Sequence, residues 1–323
     1  SALESRMTIA KTLKLSSGHE MPIFGLGTWQ SGKEEVIEAV KTAIKDGYRL
    51  IDTASVYQNE EHIGEALEEL FKEGVVKRED IFITTKAWST ELTPDVLEAA
   101  LRESLKKLRV DYVDLYLAHM PVAFNAEMTE QLKDVTVEDI WKGFESVYEK
   151  NLTKAIGVSN WSPEQIERVQ KIAKVPIHNQ QVELHLYFQQ KELREVCKKH
   201  NITTTAYAPI GSPGRTNFVL PNGFRPDWRP APAPLEDTVV SELAKKYNKT
   251  PAQILLRHLM QDGIAVIPKS TNEKRIKENN NIWDFELTNE EVEKLNNAPQ
   301  GERLFVQDFL IGHAEDPFKN ERS

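Results

Sequence analysis

The segment Arg49-Leu50-Ile51-Asp52-Thr53-Ala54-Ser55-Val56-Tyr57 sets the expectation for the whole chain. It reads as an apolar strand that ends in the carboxylate of Asp52, with Tyr57 following one turn later. Two later strands repeat this pattern, one ending in Lys86 and the other in His119. Catalytic residues of a barrel of alternating strands and helices collect at the carboxyl ends of its strands. We therefore expect these four side chains to lie together.

The four residue types at these strand ends suit proton transfer. A tyrosine has an ordinary pKa of about 10, and a nearby lysine ammonium favours the ionised phenol and lowers that pKa. Tyr57 between Lys86 and His119, with Asp52 pairing the lysine, is therefore a candidate proton donor near neutral pH. The alternative for any one residue is an ordinary ion pair or an unrelated side chain, which does not account for all four.

Along the rest of the chain, the apolar pattern alternates between helical and strand periodicity. Eight strands separated by helices predict an α/β fold, a single (β/α)8 TIM barrel, with a doubly wound open sheet as the alternative. One helix is marked by Thr93-Pro94, a capping residue followed by a first-turn proline. Predicted helices cover residues 34–46, 60–73, 92–108, 135–150, 162–173 and 191–200, and predicted strands cover 24–29, 49–52, 82–85, 112–117, 155–158, 178–182, 203–207 and 265–267.

Several segments fall outside this alternation. Residues 13–22 predict a short N-terminal β-hairpin that plugs one end of the barrel. The proline-rich loop 212–234, after the seventh strand, is far longer than a usual βα loop, so we expect a lid over the barrel mouth. The C-terminal tail 299–323 lacks helical periodicity, and we expect it to lie over the mouth and border the pocket. Residues 1–6 are interpreted as a remnant of an expression vector, which leaves 7–323 as one catalytic domain.

The composition limits the classes of binding partner and the cellular compartments that we expect for this protein. A formal net charge of −9 argues against nucleic acid and anionic membranes as partners. No apolar run approaches the ~20 residues that span a bilayer, and the sequence shows no signal-peptide core. The single cysteine, Cys197, cannot form an intrachain disulfide, which fits a reducing compartment. We expect a cytoplasmic monomer that acts on a small molecule.

The later strand ends carry groups that suit a nicotinamide ring. Ser159, Asn160 and Gln181 offer hydroxyl and amide groups that can pair with a carboxamide, and Tyr207 offers a flat aromatic face. The alternative for Ser159 and Asn160 is a turn and helix cap before Pro163.

The eighth strand leads into a candidate phosphate site. Lys269 ends that strand, and Arg275 lies in the first turns of the next helix, where anions bind readily. An adenosine 2′-phosphate explains two cations better than a hydroxyl does, so the pattern favours NADPH over NADH. Glu278 could instead accept hydrogen bonds from adenine or ribose. The alternative for the whole segment is a solvated, charged helix.

The strand ends allow two other interpretations. A metal hydrolase would need several histidines and carboxylates there, and His119 is the only such histidine, so no metal is expected. Gly25 and Gly27 in the first strand either let a ligand approach the backbone or only allow close packing between strands. They are not a dinucleotide fingerprint, because no third glycine opens a helix.

With these residues identified, the sequence resembles the aldo-keto reductases, in the branch that includes aldose and aldehyde reductases. The resemblance extends from about Leu13 to Phe318, and its specificity comes from several dispersed motifs in the right order. These motifs are Gly27-Thr28-Trp29, Asp52 through Tyr57, Lys86, Leu117-Ala118-His119-Met120-Pro121, Gly157-Val158-Ser159-Asn160-Trp161, and Ile267-Pro268-Lys269-Ser270 with Arg275, Glu278 and Asn279.

The resemblance implies NADPH-dependent reduction of aldehydes, extending to ketones, sugars and steroid or lipid carbonyls. It implies a catalytic tetrad in which Tyr57 protonates the carbonyl oxygen as hydride reaches the carbon, and whose members are Asp52, Tyr57, Lys86 and His119. NADPH/NADP+ would lie across the barrel mouth on Gly27, Thr28, Trp29, Asp52, Ser159, Asn160, Gln181, Tyr207, Ser212, Lys269, Ser270, Arg275, Glu278 and Asn279. The substrate side would be lined by Trp29, Val56, Trp88, Met120, Phe124, Trp228 and Phe305.

The chain departs from this family pattern in three places. Met120 stands where related enzymes usually have a tryptophan after the catalytic histidine, and Gln180 replaces a usual asparagine. The loop 212–234 is longer than in aldose reductase. Substrate preference and cofactor clamping are therefore expected to differ from those of relatives. The rival function is a non-catalytic NADPH-binding protein of the same fold, structural or sensory.

Overall fold

The computed structural model describes residues 11–322, and the predicted vector remnant lies outside them. The strands are β1 Thr12–Lys14, β2 Glu20–Pro22, β3 Leu26–Gly27, β4 Leu50–Asp52, β5 Phe82–Ala87, β6 Leu115–Ala118, β7 Ile156–Ser159, β8 Asn179–Glu183, β9 Thr203–Tyr207 and β10 Ala265–Val266. The helices are α1 Lys33–Lys45, α2 Glu60–Lys72, α3 Pro94–Leu108, α4 Val137–Glu149, α5 Pro163–Ile172, α6 Lys191–Lys199, α7 Thr238–Tyr247, α8 Pro251–Gln261, α9 Glu273–Asn280 and α10 Asn289–Asn296.

Strands β3 to β10 form one parallel sheet in chain order, and its two edges meet. At this seam Gly25 N donates to Val266 O at 3.0 Å and Gly27 N donates to Pro268 O at 3.1 Å. Val266 N donates to Ile23 O at 2.9 Å. These bonds remove both sheet edges, so the predicted (β/α)8 barrel is confirmed and the open doubly wound sheet is wrong.

Each barrel helix exists because one of its faces is apolar and buried against the sheet. In α1 the buried face consists of Val36, Ala39, Val40, Ala43 and Ile44. Several helices start at a residue whose hydroxyl satisfies a free backbone N–H of the first turn. Thr136 accepts from Asp139 N before α4, and Ser162 accepts from Gln165 N before α5. Thr93 occupies the N-cap position of α3 as predicted, although its side chain makes no capping bond.

The N-terminal hairpin β1–β2 is antiparallel and covers the amino ends of the barrel strands, as expected of a plug. Leu15 and Met21 of the hairpin are buried in the core. His19 Nε2 lies 2.9 Å from Asp114 Oδ1, directly before β6. Because the hairpin occupies this end, the opposite end of the barrel is the one open to ligands.

Helices α7, α8 and α10 are additions that the sequence analysis did not predict. The predicted lid, residues 212–234, begins with a 3-10 turn at Pro213–Asn217 and reaches the barrel mouth, where Phe218 contacts Trp29. The C-terminal tail contains one 3-10 turn, Asp308–Leu310, and also reaches the mouth. The positions of both segments agree with the expectation.

The helical layer is packed so closely that one added methyl group should lower the free energy of unfolding. A Cβ on Gly64 of α2 would lie 2.2 Å from Lys107 O and 2.9 Å from Leu108 Cα in α3. Because both obstacles are backbone atoms, Gly64→Ala should destabilise the protein by about 1–3 kcal/mol, measured by urea unfolding. A Cβ on Gly214 meets nothing within 4 Å, so Gly214→Ala should stay within about 0.5 kcal/mol of wild type. Equal stabilities of the two variants would contradict this account of α2–α3 packing.

Candidate active site

Parallel strands place the predicted catalytic residues at one end of the barrel. Asp52 is the last residue of β4, Lys86 is the second-last residue of β5, and His119 directly follows β6. Tyr57 ends a 3-10 turn, Ser55–Tyr57, that follows β4. The four side chains that the sequence singled out are therefore brought together.

Lys86 is the centre of this group and is fully buried. Its Nζ donates to Asp52 Oδ1 at 2.6 Å, to Thr53 O at 2.9 Å and to Tyr57 Oη at 3.3 Å. All three protons of the ammonium thus have a partner. Burial lowers the pKa of Lys86, but the charge of Asp52 and these bonds raise it more, so the pKa lies above the ordinary value.

Asp52 is held from two sides. Its Oδ1 pairs with Lys86, and its Oδ2 accepts from Gln181 Nε2 at 2.8 Å. Its backbone oxygen accepts from Thr28 Oγ1 at 2.9 Å. A buried ion pair is stable only when its remaining hydrogen-bonding positions are also filled, and here they are.

The pKa of Tyr57 differs from the expectation drawn from the sequence. Burial raises the pKa of the Tyr57 phenol, and this outweighs the lowering by the charge and hydrogen bond of Lys86. The expectation that the lysine would bring that pKa below its ordinary value is wrong. The phenol is therefore protonated at neutral pH, with its oxygen 3.3 Å from a cation that would stabilise the anion left after proton loss.

His119 lies beside the phenol as a neutral imidazole. Its ring stands edge-on to Tyr57 at 5.8 Å between centroids and edge-on to Trp88 at 5.2 Å. Burial, followed by the charge of Lys86, holds the pKa of His119 well below its ordinary value. Within residues 11–322 its Nδ1 is buried without a hydrogen-bond partner. A neutral imidazole of this kind can donate one hydrogen bond to a polar ligand.

The residues predicted to bind nicotinamide form one hydrogen-bonded cluster. Asn160 Nδ2 donates to His119 O at 3.0 Å and contacts Met120 Sδ at 3.6 Å. Asn160 Oδ1 accepts from Tyr207 Oη at 2.7 Å, and Ser159 Oγ donates to Gln181 O at 2.8 Å. Ser159 and Asn160 do not cap α5, because Ser162 does. Their alternative role as that helix cap is therefore wrong.

The predicted phosphate site is an exposed, cationic segment at the start of α9. Lys269 and Arg275 are exposed, and neither forms an ion pair with a carboxylate in the part of the chain that the structure describes. Asn272 caps α9 by accepting from Arg275 N at 3.1 Å. Burial of part of its side chain lowers the pKa of Lys269. Two cations without acidic partners beside a helix N-terminus suit an anion.

The other predicted cofactor residues lie around the same mouth. Gly27 packs so closely that a Cβ would lie 2.6 Å from Ile267 O, which favours close strand packing for this glycine. Ser212 begins the long loop with φ 47°. Ser270 and Asn279 are buried, and Glu278 lies 3.7 Å from Lys274 Nζ. Their contacts with a cofactor stay predictions.

The side of the mouth beside His119, which the sequence predicts to face the substrate, is apolar and aromatic. Met120, Phe124 and Leu310 belong to one buried cluster against which Trp88 and Phe309 pack. The Phe309 ring lies 5.5 Å from Trp88 and 6.0 Å from Phe124. Sequence analysis placed Phe309 in the tail but did not assign it to the site. Nothing in the tail's pattern distinguished it from neighbouring aromatic residues.

A second aromatic group lies around Tyr207 and includes three residues predicted to line the substrate side. Phe305 of the tail lies 5.6 Å from Trp29, 5.7 Å from Tyr207 and 5.3 Å from Trp228. Phe218, which the sequence analysis also missed, lies 5.2 Å from Trp29. Val56 stands at the rim and is 38% exposed. Strand ends, lid and tail therefore share one aromatic surface.

The fold and this site define a (β/α)8-barrel protein whose mouth holds a buried lysine–aspartate pair next to a protonated phenol. Comparison with known proteins gives the family. The model of the aldo/keto reductase family matches residues 23–299. Dihydrodiol dehydrogenase 3 of Bos taurus is 40% identical over 324 residues, covering 96% of this chain and 98% of that protein. Aldo-keto reductase family 1 member A1-A of Danio rerio is 42% identical over 306 residues, 91% of each chain.

Solved structures agree with the sequence comparison. An aldose reductase from Schistosoma japonicum superposes with a TM-score of 0.86 at 40% identity, covering 97% of this chain and 100% of that one. A Bombyx mori aldo-keto reductase in complex with NADP gives a TM-score of 0.86 at 36% identity, covering 96% and 99%. The chain belongs to the aldo/keto reductase family and is an oxidoreductase, as its sequence motifs implied.

The charge state of His119 can be tested without turnover. Because its pKa is held well below the ordinary 6.5, its imidazole should stay neutral as the pH falls through 6.5 in an NMR titration of side-chain nitrogen shifts. Lys86→Met removes a cation and leaves the Asp52 carboxylate, so the pKa of His119 should rise in that variant. Protonation of wild-type His119 near 6.5, or no rise in the variant, would contradict this account.

Proposed function

We propose that this enzyme reduces aldehydes with NADPH and that Tyr57 supplies the proton. The observation that carries the proposal is the position of the Tyr57 hydroxyl. It lies 3.3 Å from a buried ammonium that Asp52 holds in place, and its ring stands beside neutral His119 at the open end of the barrel. These are the groups that reduction of a carbonyl needs from a protein: an acid, a stabiliser of its conjugate base and a donor that orients the oxygen.

NADPH/NADP+ as the cofactor is supported by membership of the family and by the structural neighbour in complex with NADP. The residues present fit it. Ser159, Asn160 and Gln181 gather amide and hydroxyl groups at the mouth, and Lys269 and Arg275 give an anion two cations without acidic partners among the described residues. When bound, the cofactor supplies hydride.

The chain's own residues manage the proton and the charge. Tyr57 gives its proton to the carbonyl oxygen, which becomes the hydroxyl of the alcohol as the carbon accepts hydride. Lys86 stabilises the phenolate that remains, and Asp52 keeps the ammonium in place through its 2.6 Å bond. His119 donates a hydrogen bond that orients the carbonyl. Such an acid contributes about 10²–10⁴-fold to the rate.

The substrate surface favours apolar carbonyl compounds. Trp88, Met120, Phe124 and Phe309 form a wall without charge beside His119. Aromatic and aliphatic aldehydes fit such a wall better than free sugars do, because a sugar would leave its hydroxyl groups unpaired there. Relatives bear names such as prostaglandin F synthase 1 of Bos taurus, so ketones and lipid carbonyls are included in the proposal.

For the cellular location and the oligomeric state of the protein we make predictions. In residues 11–322 no helix is both long and apolar enough to cross a membrane. Cytoplasmic location and a monomeric state remain our predictions, and size-exclusion chromatography with light scattering tests the second.

Tyr57→Phe tests the proton donor. The ring stays but the acid is lost, so reduction of 4-nitrobenzaldehyde should fall by about 10²–10⁴-fold. NADPH affinity, measured by fluorescence titration, should change by less than about twofold, because the lost group acts in the transition state. Retained turnover would refute the assignment. Cofactor binding by the wild-type protein without turnover on any of a panel of aldehydes would instead favour a non-catalytic NADPH-binding protein.

Lys269→Met and Arg275→Met test the 2′-phosphate site. Each removes a charge-assisted bond to a phosphate, so the Kd for NADPH should rise about 10–100-fold while that for NADH changes by less than about threefold. Lys277→Met is a matched control on α9, because its ammonium pairs with Glu273 at 2.9 Å. It should leave both dissociation constants unchanged. Equal losses for NADPH and NADH would remove the phosphate assignment.

A further inference from the structure

We propose that Glu183 is a positioning residue that holds the C-terminal tail against the barrel and thereby shapes the pocket for bulky substrates. The inference rests on the proposed function of the site for its kinetic consequence. Its structural part, the attachment of the tail, stands on geometry alone.

Glu183 is the last residue of β8 and is fully buried. Its Oε2 accepts from Leu304 N at 2.7 Å, and its Oε1 accepts from Phe305 N at 2.9 Å. Oε2 also lies 2.9 Å from Nε2 of buried His185. A carboxylate that leaves water needs such donors, and two of the three come from the backbone of the tail.

These two backbone hydrogen bonds fix the position of Phe305, which contacts aromatic residues from three parts of the mouth. Phe305, whose N–H is held by Glu183, packs against Trp29, Tyr207 and Trp228. Those three residues come from the ends of β3 and β9 and from the long loop. A loss of the carboxylate would therefore loosen the tail at the place where lid and barrel meet.

The tail has a second buried anchor far along the chain. Glu315 accepts from Val137 N at 2.8 Å, from Gln165 Nε2 at 3.3 Å and from Arg168 at 2.7 Å. The segment between the two anchors carries Phe309, which covers the substrate side. Glu183 and Glu315 thus hold opposite ends of the tail segment 304–315. Of these two carboxylates, only Glu183 lies next to the aromatic group around Phe305.

Glu183→Gln keeps the size of the side chain but removes one of the two oxygen atoms that accept hydrogen bonds from the tail. An amide offers one acceptor oxygen and one NH2 group, so one of the two tail N–H groups would face another donor. The residues that handle the proton are untouched, because Glu183 makes no hydrogen bond to Asp52, Tyr57, Lys86 or His119 within residues 11–322. Glu183→Gln should therefore change the KM for bulky substrates without changing kcat.

The experiment compares Glu183→Gln with wild type on a bulky and a small aldehyde, 4-nitrobenzaldehyde and propanal. KM for the bulky aldehyde should rise about tenfold, because the lost bond between Glu183 and the tail shifts the tail towards its released position by about that factor, and the released tail no longer shapes the pocket. KM for propanal and kcat for both should stay within about twofold, because the proton-handling residues are intact. Hydrogen exchange of the Leu304 and Phe305 amides in the NADPH-loaded protein should accelerate at least about tenfold.

Glu315→Gln is the matched control, because it makes the same change in a buried carboxylate at the other end of the tail segment 304–315. It should lower the melting temperature but leave the KM ratio of the two aldehydes and the exchange of the Leu304 and Phe305 amides unchanged. A KM shift of equal size in both variants, or unchanged exchange in Glu183→Gln, would overturn the proposal. If wild type reduces neither aldehyde, the proposed function fails, while the exchange of the two amides still decides whether Glu183 holds the tail.

Discussion

The ion pair between Lys86 and Asp52 is the interaction on which the site depends. Both groups are buried, and their oxygen and nitrogen atoms lie 2.6 Å apart. Separation of such a pair leaves an uncompensated charge in the interior, at a cost of about 3–5 kcal/mol. The pair is therefore a strong constraint on the chain around it. The ammonium donates to Thr53 O and to the Tyr57 hydroxyl, and the carboxylate accepts from the Gln181 amide.

This constraint can be met only because the strands are parallel and in register. Asp52 pairs with Thr84 across β4 and β5, and Lys86 pairs with Leu117 across β5 and β6. The register places the end of each strand beside the end of the next, so residues far apart in sequence come into contact. The seam between β3 and β10 then closes the ring and brings Lys269 to the same mouth.

Much of this arrangement was predictable because it depends on periodicity and on residue types at strand ends. The barrel, the hairpin and the grouping of Asp52, Lys86 and His119 follow from such patterns. Helix α8 was missed although Thr250-Pro251 repeats the cap signal recognised at Thr93-Pro94. The pKa of Tyr57 could not be predicted, because its direction depends on how deeply the phenol is buried. Burial is a property of tertiary packing.

The least predictable part of the site is the part that gives it its shape. The tail and the lid have no repeating pattern, and their aromatic residues, Phe309 and Phe218 among them, touch the barrel through packing that only the folded chain defines. The tail nevertheless has a fixed attachment point, because Glu183 lies at the end of a regular strand and its carboxylate accepts from Leu304 N and Phe305 N. Two buried carboxylates, Glu183 and Glu315, thus attach the irregular tail to the regular part of the barrel. Under the proposed mechanism, proton transfer therefore depends on residues at the strand ends, whereas the shape of the pocket depends on the tail.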